Sequence, residues 1–384
     1  MSPALIFRWT EDGRHGDNLA VGTFHLPGGS NAEVPSWKLM AAGTLIIRAD
    51  ASLAIGTGHT MRCLALAQAW QDAGGDVVFA MAQSTPSVED QLRSEHMGVF
   101  HVAAADDSRR AAEQVVELAR GRHAEWVVVD GPSFDASFVL GMKAAGLRVL
   151  QIDDFGNASD NPADIILNQN LGADESQYRS RKPYTRLLLG TSYALLRREF
   201  TSGRRGRREF PEVGRRLLVT LGGTDPKNLT LLVLQSLEMA EIPGLETTVV
   251  VGCLDRRLPD IKRAAACGSS NMRILVDPRN MPELMFSSDV AVIAAGVTLW
   301  ELLYMGCAVL SYARNPIQAQ VISDLERRGT VRNLGAAPES DGGRLNSTLR
   351  EIAESKILRE QMAGAGRRIV DGQGAARVLQ ALGT

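Results

Sequence analysis

From Leu45 onward, short apolar runs alternate with longer stretches whose apolar residues recur at helical spacing. The runs LIIRA, DVVFA, VFHVA, WVVVD and RVLQID have strand length. Helix-like stretches begin at Thr60, within Ser87–Met97, near Ser108–Gly121 and near Phe134–Ala145. Strand-length and helix-length segments in alternation predict βαβ units around a parallel sheet. A less regular stretch containing ADIILNQN and RLLLG follows. The alternation then restarts at RRLLVTLGG and continues through TTVVVG, RILVD, VAVIAAG and AVLSYA, with ELMFSS, LWELLYMG and QVISDLERRG between them. The pattern predicts two Rossmann-like domains, residues 41–200 and 217–384, with C-terminal helices that can cross back to the first.

Residues 201–216, TSGRRGRREFPEVGRR, lack apolar periodicity and read as a linker. A solvated hinge is the plainer account of its arginines; the other is that some lean into the cleft to meet a phosphate. Two open α/β domains facing each other place their strand C-terminal ends, where such sheets bind ligands, on opposite walls of one cleft.

The length of 384 residues supports two domains rather than one. With 45% hydrophobic and 22% charged residues the composition is that of a water-soluble globular protein, and no apolar run approaches the ~20 residues of a membrane span. A formal net charge of -2 supplies no field to attract nucleic acid. Cys63, Cys253, Cys267 and Cys307 form no CxxC pair; the expectation is buried, reduced thiols in a cytoplasmic protein, with no metal site. Residues 1–40 are rich in Gly and Pro, lack periodicity and do not resemble a signal peptide, so they are expected to be an irregular extension, or to precede a functional start at Met40.

Three turns carry the candidate chemistry. IGTGHTMRCLALAQAW leaves a strand, turns on Gly56 and Gly58 and enters a helix near Thr60, which puts His59 at the cleft beside the positive end of a helix. A neutral imidazole there can act as a base, although a plain helix cap accounts for the spacing equally well. Asp50, at the end of the preceding strand-length run, joins the candidate binding residues. LVTLGGTDPKN offers Gly222, Gly223 and Asp225 as a diphosphate cradle without the Walker pattern. In IAAGVTLWELLYMG, Gly296 and Thr298 stand at a strand-to-helix turn and Glu301 follows one turn later. Glu301 can accept ribose hydroxyls while Thr298 and backbone N–H groups hold phosphate; the bland account is a Thr298–Glu301 capping box. Asp153 and Asp154 end a strand and can line the cleft. His96, His101 and His123 are expected to be surface or core residues.

Taken together, IRADASLAIGTGHTMRCLALA, VVDGPSFD, IDDFGNASDNPADIILNQNLG, LLLGTSYALLRREF, LVTLGGTDPKNLT and AAGVTLWELLYMGCAVL occur in the order seen in the UDP-sugar hydrolases of pseudaminic acid biosynthesis. The chain resembles that family from about Leu45 to about Gly335. The resemblance implies an α/β protein of GT-B type, with two Rossmann-like domains facing a central cleft and kinship to inverting glycosyltransferases. It also implies removal of UDP from UDP-2,4-diacetamido-2,4,6-trideoxy-β-L-altropyranose by water attacking the sugar, with no metal or other cofactor. On this resemblance His59 is the catalytic histidine, Gly296, Thr298 and Glu301 form the nucleotide-binding turn, and Gly222, Gly223 and Asp225 form the GGTD loop. Gly56, Gly58, Asp50, Asp154 and Gln318 complete the expected binding residues. Gly131-Pro132 after Asp130, where the family tends to have a histidine and a tyrosine, and Ile317-Gln318, where it often has Asn-Gln, are departures expected near the sugar. They keep two alternatives open: a GT-B glycosyltransferase of surface polysaccharide or flagellin, and a non-catalytic nucleotide-sugar binder. The expected partner is a UDP-sugar, with no nucleic acid and no membrane insertion.

Overall fold

Every residue of the run Leu45–Ala49 is buried, because its alternate side chains feed two different cores. Leu45 and Ile47 enter one, while Ile46 enters the other. Strands apolar on both faces are what a parallel sheet covered by helices on both sides requires. A computed structural model of the chain describes residues 43–103, 108–156, 160–202, 208–240, 242–253, 255–267, 271–336 and 342–383. The extension at residues 1–40 and the arginines of residues 203–207 lie outside the described residues.

The first half runs β1 (Thr44–Ala49), α1 (Gly58–Asp72), β2 (Asp76–Met81), α2 (Pro86–Ser94), β3 (Gly98–His101), α3 (Ser108–Gly121), β4 (Trp126–Asp130), α4 (Ala136–Ala144), β5 (Arg148–Ile152), β6 (Ile165–Asn168), β7 (Arg186–Leu189) and α5 (Arg198–Thr201). The second runs β8 (Arg216–Thr220), α6 (Leu229–Ala240), β9 (Glu246–Val251), α7 (Leu258–Cys267), β10 (Asn271–Val276), α8 (Met281–Ser287), β11 (Val290–Ala294), α9 (Val297–Met305), β12 (Ala308–Ala313), α10 (Pro316–Arg327) and β13 (Val331–Ala336). Three helices follow: α11 (Gly342–Glu354), α12 (Lys356–Ile369) and α13 (Gly374–Leu382).

The strands form two parallel sheets, ordered β3-β2-β1-β4-β5-β6-β7 and β10-β9-β8-β11-β12-β13. The less regular stretch after β5 thus supplies two more strands of the first sheet, paired in parallel as β5 to β6 and β6 to β7. Each has only four residues and no α-helix separates them, so the strand-helix alternation that marks the other strands is missing there. Both sheets reverse their winding once, between β1 and β4 and between β8 and β11. Loops leaving such neighbouring strands diverge to opposite faces and open a crevice at the strand C-terminal ends. His59 follows β1, and Asp130 ends β4 in direct register with Ala49; the Gly222 and Gly296 turns follow β8 and β11.

The last helix returns to the first half. Val378, Leu379, Ala381 and Leu382 of α13 are buried in the core that holds Leu45, Leu64 and Trp70. Gly374 makes this possible, since a Cβ there would stand 2.1 Å from the Ala194 carbonyl oxygen. Of the cysteines, Cys63 and Cys307 are buried, but Cys253 and Cys267 are exposed, contrary to expectation: they lie at or beyond the ends of β9 and α7, where the core no longer covers the chain. Among the described residues no helix is long and apolar enough to cross a membrane. If α13 is part of the first core, Leu379→Ala lowers stability by about 2–5 kcal/mol. In urea, the Trp70 and Trp126 environments should melt at lower denaturant while the second half is unaffected; coincident, unchanged melting would contradict the assignment.

Candidate functional site

The first-half wall of the cleft is organised by one carboxylate. Asp130 ends β4, and its side chain is wholly buried. Arg62, one turn beyond His59 on α1, grips it from the plane, with Nε to Oδ2 and Nη2 to Oδ1 both 2.6 Å. His59 Nδ1 lies 2.8 Å from Asp130 Oδ1, and the Cys63 thiol donates to Oδ2 at 3.4 Å. Burial alone would raise the Asp130 pKa, but the charge and hydrogen bonds of Arg62, with those of His59, overturn this and hold the carboxyl far below the ordinary range. An ionised carboxylate only accepts hydrogen bonds, so Nδ1 carries a proton, and in the neutral ring the lone pair is then on Nε2. Arg62 Nη2 is also 3.2 Å from Nδ1; since both atoms are then donors, this is a close approach, and the shorter contact to Asp130 decides the tautomer.

His59 is the second residue of α1 and does not cap it: the N-cap is Thr57, and no side chain closes that helix end. The plain-cap account of His59 therefore fails. Arg62 Nη1 continues the network to both oxygens of Asp154, at 2.8 and 2.9 Å. Asn170 Nδ2 donates to the same carboxylate at 2.9 Å.

Across the cleft, α9 begins at Val297 with Gly296 as an extended N-cap and again no side-chain cap. Thr298 lies inside the helix, so the Thr298–Glu301 capping box does not form. Glu301 is buried; its Oε1 accepts from Arg197 Nη2 at 3.0 Å and Nε at 3.3 Å. Arg197 comes from the segment after β7, so this ion pair joins the two halves. A cavity of about 300 Å³ lies between the walls and is lined by Gly56, Gly58, His59, Arg62, Asp154, Gly222, Gly223, Gly296, Thr298, Glu301, Arg314, Ile317 and Gln318, among others.

Two expected binding residues turn away from it. Asp50 forms a bidentate pair with buried Arg48 at 2.6 and 2.9 Å and accepts from the Ala82 and Gln83 N–H groups. Asp225 is buried, and its carboxylate accepts from Leu229 N at 3.0 Å and Thr230 N at 2.8 Å, closing the start of α6. Each spends its oxygens on backbone groups or an arginine that folding would otherwise leave unpaired. Asp153 likewise folds back, accepting from the Phe155 and Gly156 N–H groups, and burial pushes its carboxyl up. Gly131 and Pro132 do not line the cavity, whereas Ile317 does. Of the linker arginines, Arg208 donates to the carbonyls of Met285, Phe286 and Ser288, and Arg216 pairs with Asp289. His96, His101 and His123 are exposed.

Because the folded Asp130 pKa is depressed, its pairing stabilises fully above the unfolded-state value of about 3.9 and is lost as pH falls below it toward the native value. The wild type should therefore lose stability more steeply than Asp130→Asn between about pH 5 and pH 3. Chemical denaturation at several pH values checks this, and parallel curves for the two proteins would contradict it.

No family model matches the chain. It is 24% identical to an uncharacterized protein of Methanocaldococcus jannaschii over 77% of its own length, and spans 60% of that relative's. It is 27% identical to the UDP-2,4-diacetamido-2,4,6-trideoxy-beta-L-altropyranose hydrolase of Campylobacter jejuni, over 71% of this chain and 92% of the relative. The spore coat polysaccharide biosynthesis protein SpsG of Bacillus subtilis is 26% identical over 61% of this chain and 69% of its own. Among solved structures, spinosyn rhamnosyltransferase SpnG superposes with a TM-score of 0.64 at 13% identity, covering 89% of this chain and 100% of that one. MurG of Acinetobacter baumannii gives 0.59 at 16%, covering 88% and 99%. The chain has the GT-B fold and resembles the altropyranose hydrolase in sequence.

Proposed function

We propose that the chain hydrolyses a UDP-linked sugar, with water as the nucleophile and UDP as the leaving group. The observation that carries this reading is the His59–Asp130 pair, which leaves a lone pair on Nε2 in the same cavity as the uncapped start of α9. In the proposed step His59 Nε2 takes a proton from water as its oxygen bonds to the anomeric carbon. The bond from that carbon to the diphosphate oxygen breaks, and UDP leaves with the electron pair. Nucleotide contacts are assigned to the second half, where the Gly222–Gly223 turn, Thr298 and the free N–H groups of α9 present donors to phosphate. Glu301 Oε2, the oxygen Arg197 does not bind, is assigned to the ribose hydroxyls. The likeness to the C. jejuni hydrolase supports this reading over a binder without chemistry.

His59→Asn should cut turnover by about 10²–10⁴-fold, leaving UDP affinity nearly unchanged. The assay is UDP release from UDP-linked diacetamido-trideoxy sugars, with and without sugar acceptors, in ¹⁸O water. Release without acceptor and label on the sugar are expected. Release only with an acceptor would make the protein a transferase, and label on UDP would place the attack at phosphorus and end the proposal.

A further inference from the structure

The side chains of Arg48, Arg62, Arg197, Arg208 and Arg359 are buried or nearly so, and each is met by carboxylates or by several carbonyls. Arg48, Arg62 and Arg197 hold carboxylates. Arg359 donates to four carbonyls, those of Pro211, Glu212, Ile352 and Ala353, and Arg208 to three. Arg314, just beyond β12, is different. Among the described residues its guanidinium has one hydrogen bond, from Nη2 to the Ala295 carbonyl at 3.3 Å, and no carboxylate is paired with it. Burial lowers its pKa, and the pull of Asp225 does not cancel that effect; the Asp225 oxygens are already engaged at the start of α6.

The place of this under-used guanidinium is informative. Nη1 lies 3.3 Å from where a Cβ would stand at Gly222, and Nη2 lies 3.5 Å from the same position at Gly296. Gly222 also has φ of +104°, so a side chain there would be both strained and pressed against Arg314. The arginine backbone is tied at both ends: its N–H donates to Gln318 Oε1 at 2.9 Å, and its carbonyl accepts from Lys227 Nζ at 3.0 Å. A planar five-donor cation thus stands, anchored, between two glycine turns that border the cavity.

We propose that Arg314 is the residue that receives the nucleotide's diphosphate, an inference that rests on the UDP-sugar reading above. Its unspent N–H donors match the paired oxygens of a phosphate, and the bidentate fork gives direction as well as charge. When the sugar–oxygen bond breaks, negative charge grows on the departing diphosphate. A cation fixed beside it therefore binds the transition state better than the substrate. The arginine is both a binding and a catalytic residue in this account.

Calorimetry with UDP, UMP and uridine, on the wild type, Arg314→Met and Arg314→Lys, tests it. Arg314→Met should weaken UDP by about tenfold to a hundredfold and leave uridine unchanged; Arg314→Lys should recover part of the UDP loss. In the hydrolysis assay kcat should fall more than KM rises. Equal weakening of UDP and uridine would make Arg314 a structural brace and overturn the proposal, as would unchanged UDP binding. Should Arg314→Met fail to fold, Arg314→Lys decides, since its loss must be larger for UDP than for uridine. A wild type that binds none of the three ligands would overturn the UDP-sugar reading itself. Binding of UDP without an arginine effect would overturn only this inference.

Discussion

The buried carboxylate of Asp130 is the constraint on which the first wall of the cleft depends. Stripping an ion of water costs several kcal/mol even after the protein relaxes, so Asp130 is tolerable only because Arg62 meets both oxygens. Without Arg62 the carboxylate would keep only His59 and the Cys63 thiol, whereas Arg62 without Asp130 would still hold Asp154. That pairing fixes more than itself: the far side of the same guanidinium orients Asp154, and the remaining hydrogen-bonding capacity of Oδ1 orients the His59 ring. The proton on His59 Nδ1 thus follows from a buried ion pair.

Topology brings the parts to one place. Each sheet changes winding direction next to its first strand, β1 or β8, so the turns after β1 and β4 and those after β8 and β11 converge on the crevice at the strand ends. The first half brings a base and its carboxylate, while the second brings two glycine turns, an uncapped helix start and Arg314. Arg197, paired with Glu301 across the halves, and α13, packed in the first core, tie the two halves together.

What the sequence made legible was local. The apolar runs marked most strands, and the turns at Gly56–His59, Gly222–Gly223 and Gly296–Thr298 were readable because turn, strand end and helix start are contiguous. The partner of His59 was not readable in that way, since Asp130 lies 71 residues away and only the pairing of β1 with β4 brings it near. Arg62 carried a faint signal, three residues after His59 on the same helical face. Asp50 and Asp225 misled for the opposite reason: a carboxylate beside a candidate loop looks alike whether it faces ligand or backbone. Arg314 had no local mark at all, because its lack of a partner is a property of the folded neighbourhood. The short strands β6 and β7, which lack intervening helices, and the return of α13 likewise depend on contacts distant in sequence.

The central claim is that Asp130 holds His59 with its proton on Nδ1 and its lone pair on Nε2. Nitrogen-15 NMR of the imidazole rings, with His59 assigned by comparison with His59→Asn, reads the tautomer directly. At neutral pH the account predicts a protonated Nδ1 and an unprotonated Nε2 in the wild type, with that preference lost in Asp130→Asn. A wild-type His59 protonated only on Nε2 would contradict it.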